Sequence, residues 1–305
     1  MKKEPIETIH IDSITQSHQL MRIDKPKHPL FSIVRFEDIE QQALDSRLRL
    51  IFDYYQITLK RDCPGKLQYG QTMYDFDEGV MSFFAPKQVN ILEPGEVLAR
   101  SGWLLNIHPD FLRTYPLAQK IKDYGFFEYA VNEALILSEE EEKSIIAIFH
   151  QIEREYTLPI DNFSQDVVIS NIELLLTYCN RYYNRQFIVR KATNHTLLGK
   201  FEKLLNEYFD NKMTDKGLPS VKYFADAMNI SPNYLGDMLR QLTGNNVQQH
   251  IHERLINKAK ELLSTTDFSV NEIAYELGFE YPQSFSKLFK NKTNLSPSEF
   301  RQTFQ

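Results

Sequence analysis

Near the C terminus two groups of polar residues stand at helical spacing. The first is Asn233, Gly236, Asp237 and Arg240, and the second is Gln283, Ser284, Lys287 and Lys290. Amide side chains donate and accept hydrogen bonds together, which suits an adenine edge. Arginine and lysine donate only and suit guanine, and aspartate accepts and suits cytosine. The Thr243 hydroxyl and the basic ends of the two segments could hold phosphates. Gly236 has no side chain to offer, but it lets the backbone approach a partner closely. Each outward residue could equally well face solvent or touch only phosphate. Contacts of this kind need a rigid support.

An internal repeat supplies that support. With Pro232 set over Pro282, Leu235 lies over Phe285, Met238 over Leu288, Leu239 over Phe289, Arg240 over Lys290 and Thr243 over Thr293. In each copy a short apolar-periodic segment precedes a tight turn. SVKYFADAM runs into Asn229, which tolerates the left-handed conformation, and SVNEIAYEL runs into Gly278, which adopts it freely. Ile230 and Phe279 are expected to be pinned beneath the turns, and Pro232 and Pro282 suit the first turn of the next helix. Ser269 and Glu272 have capping-box spacing. The spacing predicts helices over 197–210, 221–228, 232–243, 247–264, 270–277, 282–292 and 297–303. This is the layout of two helix-turn-helix units, in which the second helix of each enters a DNA major groove. At roughly 100° per residue, Phe285, Leu288 and Phe289 gather on one side of their helix, and Gln283, Lys287 and Lys290 on the other. Between the copies NVQQHIHERLINKAKELLSTT reads as a connecting helix, long enough to place the two reading helices in groove segments about 34 Å apart.

Over residues 197 to 303 the chain resembles the DNA-binding domain of AraC/XylS-type transcriptional regulators. The resemblance rests on ISPNYLGDMLRQLTG, RLINKAKELL, SVNEIAYELGFEYPQSFSKLFK and the closing LSPSEFR, in that order. By position it implies base-facing roles for Asn233, Gly236, Asp237, Arg240, Gln283, Ser284, Lys287 and Lys290. Asn294 stands where the family often has glycine, and asparagine can meet a positive φ there. The resemblance further implies an N-terminal cupin-like barrel that binds a small effector, followed by helices that pair two chains.

The rest of the sequence is compatible with this reading. FSIVRF (31–36), YYQITLK (54–60), VMSFFAP (80–86), QVNILE (88–93) and GWLLNI (102–107) read as strands separated by proline and glycine punctuation, as in a small barrel or sandwich. SEEEEKSIIAIFHQIEREY (138–156) opens with a capping box at Ser138 and Glu141, and a second amphipathic helix is expected from about 163 to 184. The expected class is α+β: a cupin-like effector domain over 1–136, a helical dimerisation segment over 137–185, a linker over 186–196 and an all-α, seven-helix DNA-binding domain over 197–305. The net charge is −6. Thirteen basic and thirteen acidic residues follow His195, so the first 194 residues carry that whole charge. Binding to DNA must then depend on where charges point, not on a generally basic domain.

Tyr54, Tyr55, Phe83, Phe84 and Trp103 could line an effector pocket or fill the core. The eight histidines are scattered. His250 and His252, two apart on a helix, diverge too far to chelate one ion, so no metal, cofactor or catalytic group is expected. The two cysteines, Cys63 and Cys179, cannot form a disulfide framework, and with no apolar leader or membrane span this suggests a cytoplasmic chain. The expected partners are double-stranded DNA, a second copy of the chain, an unidentified small effector, and RNA polymerase if the chain activates. Two alternatives stay open: an enzyme or sensor barrel with a reactive Cys63 fused to a DNA-binding module, and a dimeric regulator without an effector.

Overall fold

The computed structural model describes residues 7–40, 47–61, 67–69, 72–74, 79–92, 99–130, 133–189, 191–211 and 217–303. The chain divides into two compact units, Met1–Gln186 and Phe187–Gln305.

The first unit is α+β. Strands β2 (Phe31–Arg35), β4 (Tyr55–Arg61), β7 (Val80–Phe84), β9 (Ser101–Ile107) and β10 (Leu135–Ile136) form an antiparallel sheet in the order β10-β7-β4-β9-β2. A second sheet holds β1 (Glu7–Ile11), β3 (Leu48–Phe52) and β8 (Val89–Leu92), with β1 parallel to β3. β5 (Leu67–Tyr69) and β6 (Thr72–Tyr74) pair separately. Among the described residues these are three open sheets, so the expected closed barrel is not what the strands form. The short helix α1 (Ile14–Leu20) packs Ile14 with Ile11, Leu50, Phe52 and Tyr54, and two one-turn helices, α2 (Pro109–Leu112) and α3 (Leu117–Lys120), follow β9.

Strand alternation explains the five-stranded sheet. One face carries the row Ile33, Leu105, Ile57 and Phe83, side by side in register. The other face carries Ser32, Asn106, Gln56 and Phe84 in register. There the Gln56 amide donates to Asn106 at 3.0 Å and the Asn106 amide donates to the Ser32 hydroxyl at 3.0 Å. All three polar side chains are buried, and these bonds offset part of their desolvation.

Two helices cover the apolar face. α4 (Glu139–Thr157) begins at a capping box in which the Ser138 hydroxyl accepts from the Glu141 amide and the Glu141 carboxylate accepts from the Ser138 amide. It buries Ile145, Ile148, Phe149 and Ile152. Phe149 stacks on Trp103 with ring centres 5.6 Å apart. The Arg35 guanidinium lies over Trp103 and donates to both oxygens of Glu153, holding that carboxyl below the usual range. α5 (Ser164–Val189) places Cys179 against Met81 and Tyr183 near Phe83. Its Gln186 side chain accepts from the Ile136 amide at 2.9 Å, completing the edge of β10.

The second unit is all-α. α6 (Lys191–Asn211), α7 (Val221–Met228), α8 (Pro232–Thr243), α9 (Val247–Thr265), α10 (Val270–Glu276), α11 (Pro282–Thr293) and α12 (Pro297–Gln302) match the seven helices expected, with α6 starting earlier. α5 runs to Val189 and α6 starts at Lys191, so the backbone is helical through most of the stretch expected as a linker. That stretch lacks a clean apolar period but is made largely of residues that tolerate helix. Among the described residues no helix is long and apolar enough to cross a membrane.

Candidate nucleic-acid interface

Both turns of the repeat have one design. After α7, Asn229 takes φ 55°, its amide donates to Asp226 and the Ile230 amide donates to Ala225. After α10, Gly278 takes φ +73°, its amide donates to Tyr275 and the Phe279 amide donates to Ala274. Each is a Schellman ending, which satisfies the last helical carbonyls and turns the chain sharply. Ile230 and Phe279 follow the left-handed residue and are half-buried, Phe279 with its ring 5.5 Å from Phe285. The two first helices repeat at an offset of 49 (Phe224 and Ile273, Ala225 and Ala274, Met228 and Leu277), whereas the second helices repeat at 50. The second turn therefore holds one extra residue. Ser231 caps α8 by accepting from the Tyr234 amide, while Tyr281 precedes α11 without a side-chain cap.

The second helices are then set by packing. α8 buries Tyr234, Leu235, Met238 and Leu239, and α11 buries Phe285 and Phe289 with Leu288 half-buried. Phe289 also meets Phe300 of α12. Both helices stop in the same way. Gly244 (φ 79°) and Asn294 (φ 62°) return their amides to Arg240 and Lys290, four residues back. The Thr243 and Thr293 hydroxyls each lie 2.8 Å from the preceding-turn carbonyl of Leu239 and Phe289. Each also accepts from the amide two residues on. The Thr243 oxygen is thus part of the helix ending, and it lies 2.8 Å from His250 as well. Capping boxes at Asn246/Gln249 and Ser296/Glu299 start the next helices.

Buried residues at these positions leave the opposite faces outward. Gln283, Ser284, Lys287 and Lys290 are all exposed on α11, and Asn291 beside them is too. On α8, Arg240 is exposed and Asn233, Gly236 and Asp237 are half-exposed. The Arg240 guanidinium donates to Asp237 at 2.7 Å. A Cβ added at Gly236 would meet no atom within 4 Å, so nothing inside the fold requires glycine there. α11 carries Lys287, Lys290 and Lys292 and no acidic residue, whereas α8 balances Arg240 with Asp237. The two outward faces therefore differ in charge while sharing one scaffold. Burial and the nearby Lys292 ammonium both hold the His252 imidazole below its ordinary pKa.

α9 links the units. Its 19 residues span roughly 28 Å. It buries Val247, Ile251, Leu255, Ile256, Ala259 and Leu263, and Arg301 of α12 donates to the Leu263 and Phe268 carbonyls around its C-terminal end.

The five aromatics considered for an effector pocket have different neighbours among the described residues. Tyr54 belongs to the cluster with Ile11 and Leu50, Tyr55 packs edge-on to Phe127, and Trp103 lies under α4. Phe83 and Phe84 line a crevice with Phe126, Tyr129 and Tyr183, and its free space of about 10 Å³ takes a single water. Sequence reasoning passed over the buried Ser32–Asn106–Gln56 row, although a polar residue among apolar neighbours in three strands signalled it. Cys63 lies outside the described residues. Cys179 is fully buried, and burial pushes its thiol pKa up. Among the described residues no group of three His, Cys, Asp or Glu side chains could hold a metal ion.

Comparison with known proteins points at the same helices. A family model described as a helix-turn-helix domain matches residues 224–303. The chain is 42% identical over 85 residues to the uncharacterized transcriptional regulatory protein YesN of Bacillus subtilis, covering 27% of this chain and 23% of that protein. It is 30% identical over 135 residues to the HTH-type transcriptional activator RhaS of Salmonella schwarzengrund, covering 44% and 46%. These matches therefore span about half the relatives' length or less. A solved structure, the C-terminal domain of the response regulator yesN from Fusobacterium nucleatum, is 27% identical over 33% of this chain and 96% of that one, with a TM-score of 0.30.

Proposed function

Because the C-terminal part of this chain is an AraC/XylS-type helix-turn-helix domain, we propose that the protein is a sequence-specific DNA-binding transcriptional regulator. One observation carries the reading. Two units with the same Schellman turn and the same threonine-hooked ending present Asn233, Arg240, Gln283, Ser284, Lys287 and Lys290 on outward faces. Each face would enter one of two neighbouring major-groove segments.

The test is a duplex selected by the wild-type chain from a random-sequence library. Lys287→Ala and Gln283→Ala are each expected to weaken binding to it by about 1–3 kcal/mol, while changing binding to random duplex little. An equal loss on both duplexes would show that these side chains touch only phosphates.

The reading extends to regulation and gives the chain no catalytic step. The first unit would respond to a small effector, and α4 and α5 would pair two chains in the cytoplasm. Support for pairing comes from the apolar side chains of Leu158, Ile160, Phe163 and Val167, which are exposed around the α4–α5 connection. The effector part of the reading rests on the resemblance alone, since the buried amides and hydroxyl of Gln56, Asn106 and Ser32 bond to one another. An effector acts only through unequal affinity for two arrangements of the DNA-binding units. A thermal-shift screen of the full chain across metabolites is expected to return a compound that raises the unfolding temperature. A screen with no hit favours a regulator that pairs without an effector. An activator would also contact RNA polymerase.

A further inference from the structure

Gly278 does more than turn the chain. Its φ of +73° falls where glycine is at ease, but Asn229 takes φ 55° at the matching place in the first unit and is exposed. The left-handed conformation alone does not demand glycine in this repeat. The neighbour of Gly278 does. A Cβ there would lie 2.8 Å from Gly217 Cα, 3.0 Å from the Gly217 carbonyl carbon and 3.1 Å from the Leu218 nitrogen. All three are backbone atoms, which cannot swing aside as the end of a side chain can.

Gly217 leads into the first unit. It also has a positive φ, +70°, and its carbonyl accepts from the Tyr208 hydroxyl at 2.9 Å. Tyr208 is buried on α6, edge-on to Tyr223 of α7 with ring centres 4.9 Å apart. The turn of the second helix-turn-helix unit is thus seated, backbone on backbone, against a segment fastened to the core of the first. α9 joins the units through the chain, and the Gly217–Gly278 contact joins them a second time. Two attachments remove the freedom to rotate about α9 that one would leave.

We infer that the Gly217–Gly278 contact is a latch that fixes the relative setting of α8 and α11, and so determines the spacing of the two groove segments the protein accepts. The spacing half of this inference rests on the DNA-binding reading, and the latch half does not.

The experiment separates the two halves. On a Cys63→Ser background, the full chain receives spin labels at Gln241→Cys and Asn291→Cys, matching exposed positions of α8 and α11. Cys179 is buried and escapes labelling. Gly278→Asn keeps a residue that accepts the left-handed turn but brings a Cβ against Gly217, and it is expected to displace or broaden the label distance by pulsed EPR. Asn229→Gly is expected to leave the distance unchanged. Should Gly278→Asn not fold, Tyr208→Phe releases the Gly217 carbonyl without adding bulk and is expected to broaden the same distribution. An unchanged distribution in the variants that fold overturns the latch.

On the selected duplex, Gly278→Asn is expected to bind about tenfold or more weakly, the loss of one unit's base contacts. A duplex with one base pair inserted or removed between the two segments is expected to regain part of that loss. A displaced label distance with the wild-type spacing preference overturns the spacing role. If the wild-type chain selects no duplex, the DNA-binding reading falls, and the label distances still decide the latch.

Discussion

Gly278→Val is expected to unfold the second helix-turn-helix unit. Three costs add at this residue. The native φ of +73° is a poor region for any side chain, and a branched Cβ makes it worse. The Schellman bonds from Gly278 to Tyr275 and from Phe279 to Ala274 need that φ, so relaxing it leaves helix-end carbonyls without partners. The new Cβ also meets the Gly217 backbone at 2.8 Å. Together these amount to about 3 kcal/mol or more, a large share of the 5–15 kcal/mol roughly typical of a folded protein. Urea titration of the full chain, followed by helical circular dichroism, should show an early transition that the wild type lacks. A single transition at the wild-type midpoint would refute the turn geometry.

Phe285→Ala is expected to cost about 3–5 kcal/mol, the usual range for emptying a buried aromatic site. Phe285 is fully buried, two residues from the outward Lys287 and so roughly 200° around the helix from it, and its ring touches both Phe279 across the turn and Phe289 along α11. Removing it leaves a cavity that two other aromatic rings cannot fill without leaving their rotamers. The denaturation midpoint should fall with little change in slope. DNA binding should fall with it, although Phe285 faces away from any duplex. Gln283→Ala provides the contrast, because its side chain is exposed and its removal should leave the midpoint where it was. If Phe285→Ala keeps the wild-type midpoint, the packing of α10 on α11 is not as described.

The second unit was legible because its signals are local. Pro232, Pro282 and Pro297 start helices, serines at 220, 231, 269 and 296 cap them, and Asn229 and Gly278 end them. Each of these acts within four residues of itself, so spacing alone exposes it. The outward faces follow from the same periodicity, and the structure leaves Arg240, Gln283, Ser284, Lys287 and Lys290 exposed, with Asn233, Gly236 and Asp237 half-buried. The first unit was less legible because its strands are defined by partners far along the chain. Glu7–Ile11 reads ETIHI, with too few apolar residues to announce a strand, and it becomes one by pairing with Leu48–Phe52. Tyr54, Tyr55 and Trp103 show why an aromatic residue does not identify a pocket: composition is the same whether a ring lines a cavity or closes it. The role of Gly217 lay equally out of reach, since it depends on a residue 61 positions away.

The unequal charge of the two outward faces has a thermodynamic consequence. A lysine-rich helix such as α11 gains much of its hold on a duplex by displacing ions condensed on the phosphates, and that gain shrinks as ionic strength rises. In α8 the aspartate beside Arg240 cancels most of the same effect. Added salt therefore loosens the two footholds by different amounts, and the steeper loss in concentrated electrolyte belongs to the helix that carries the lysines.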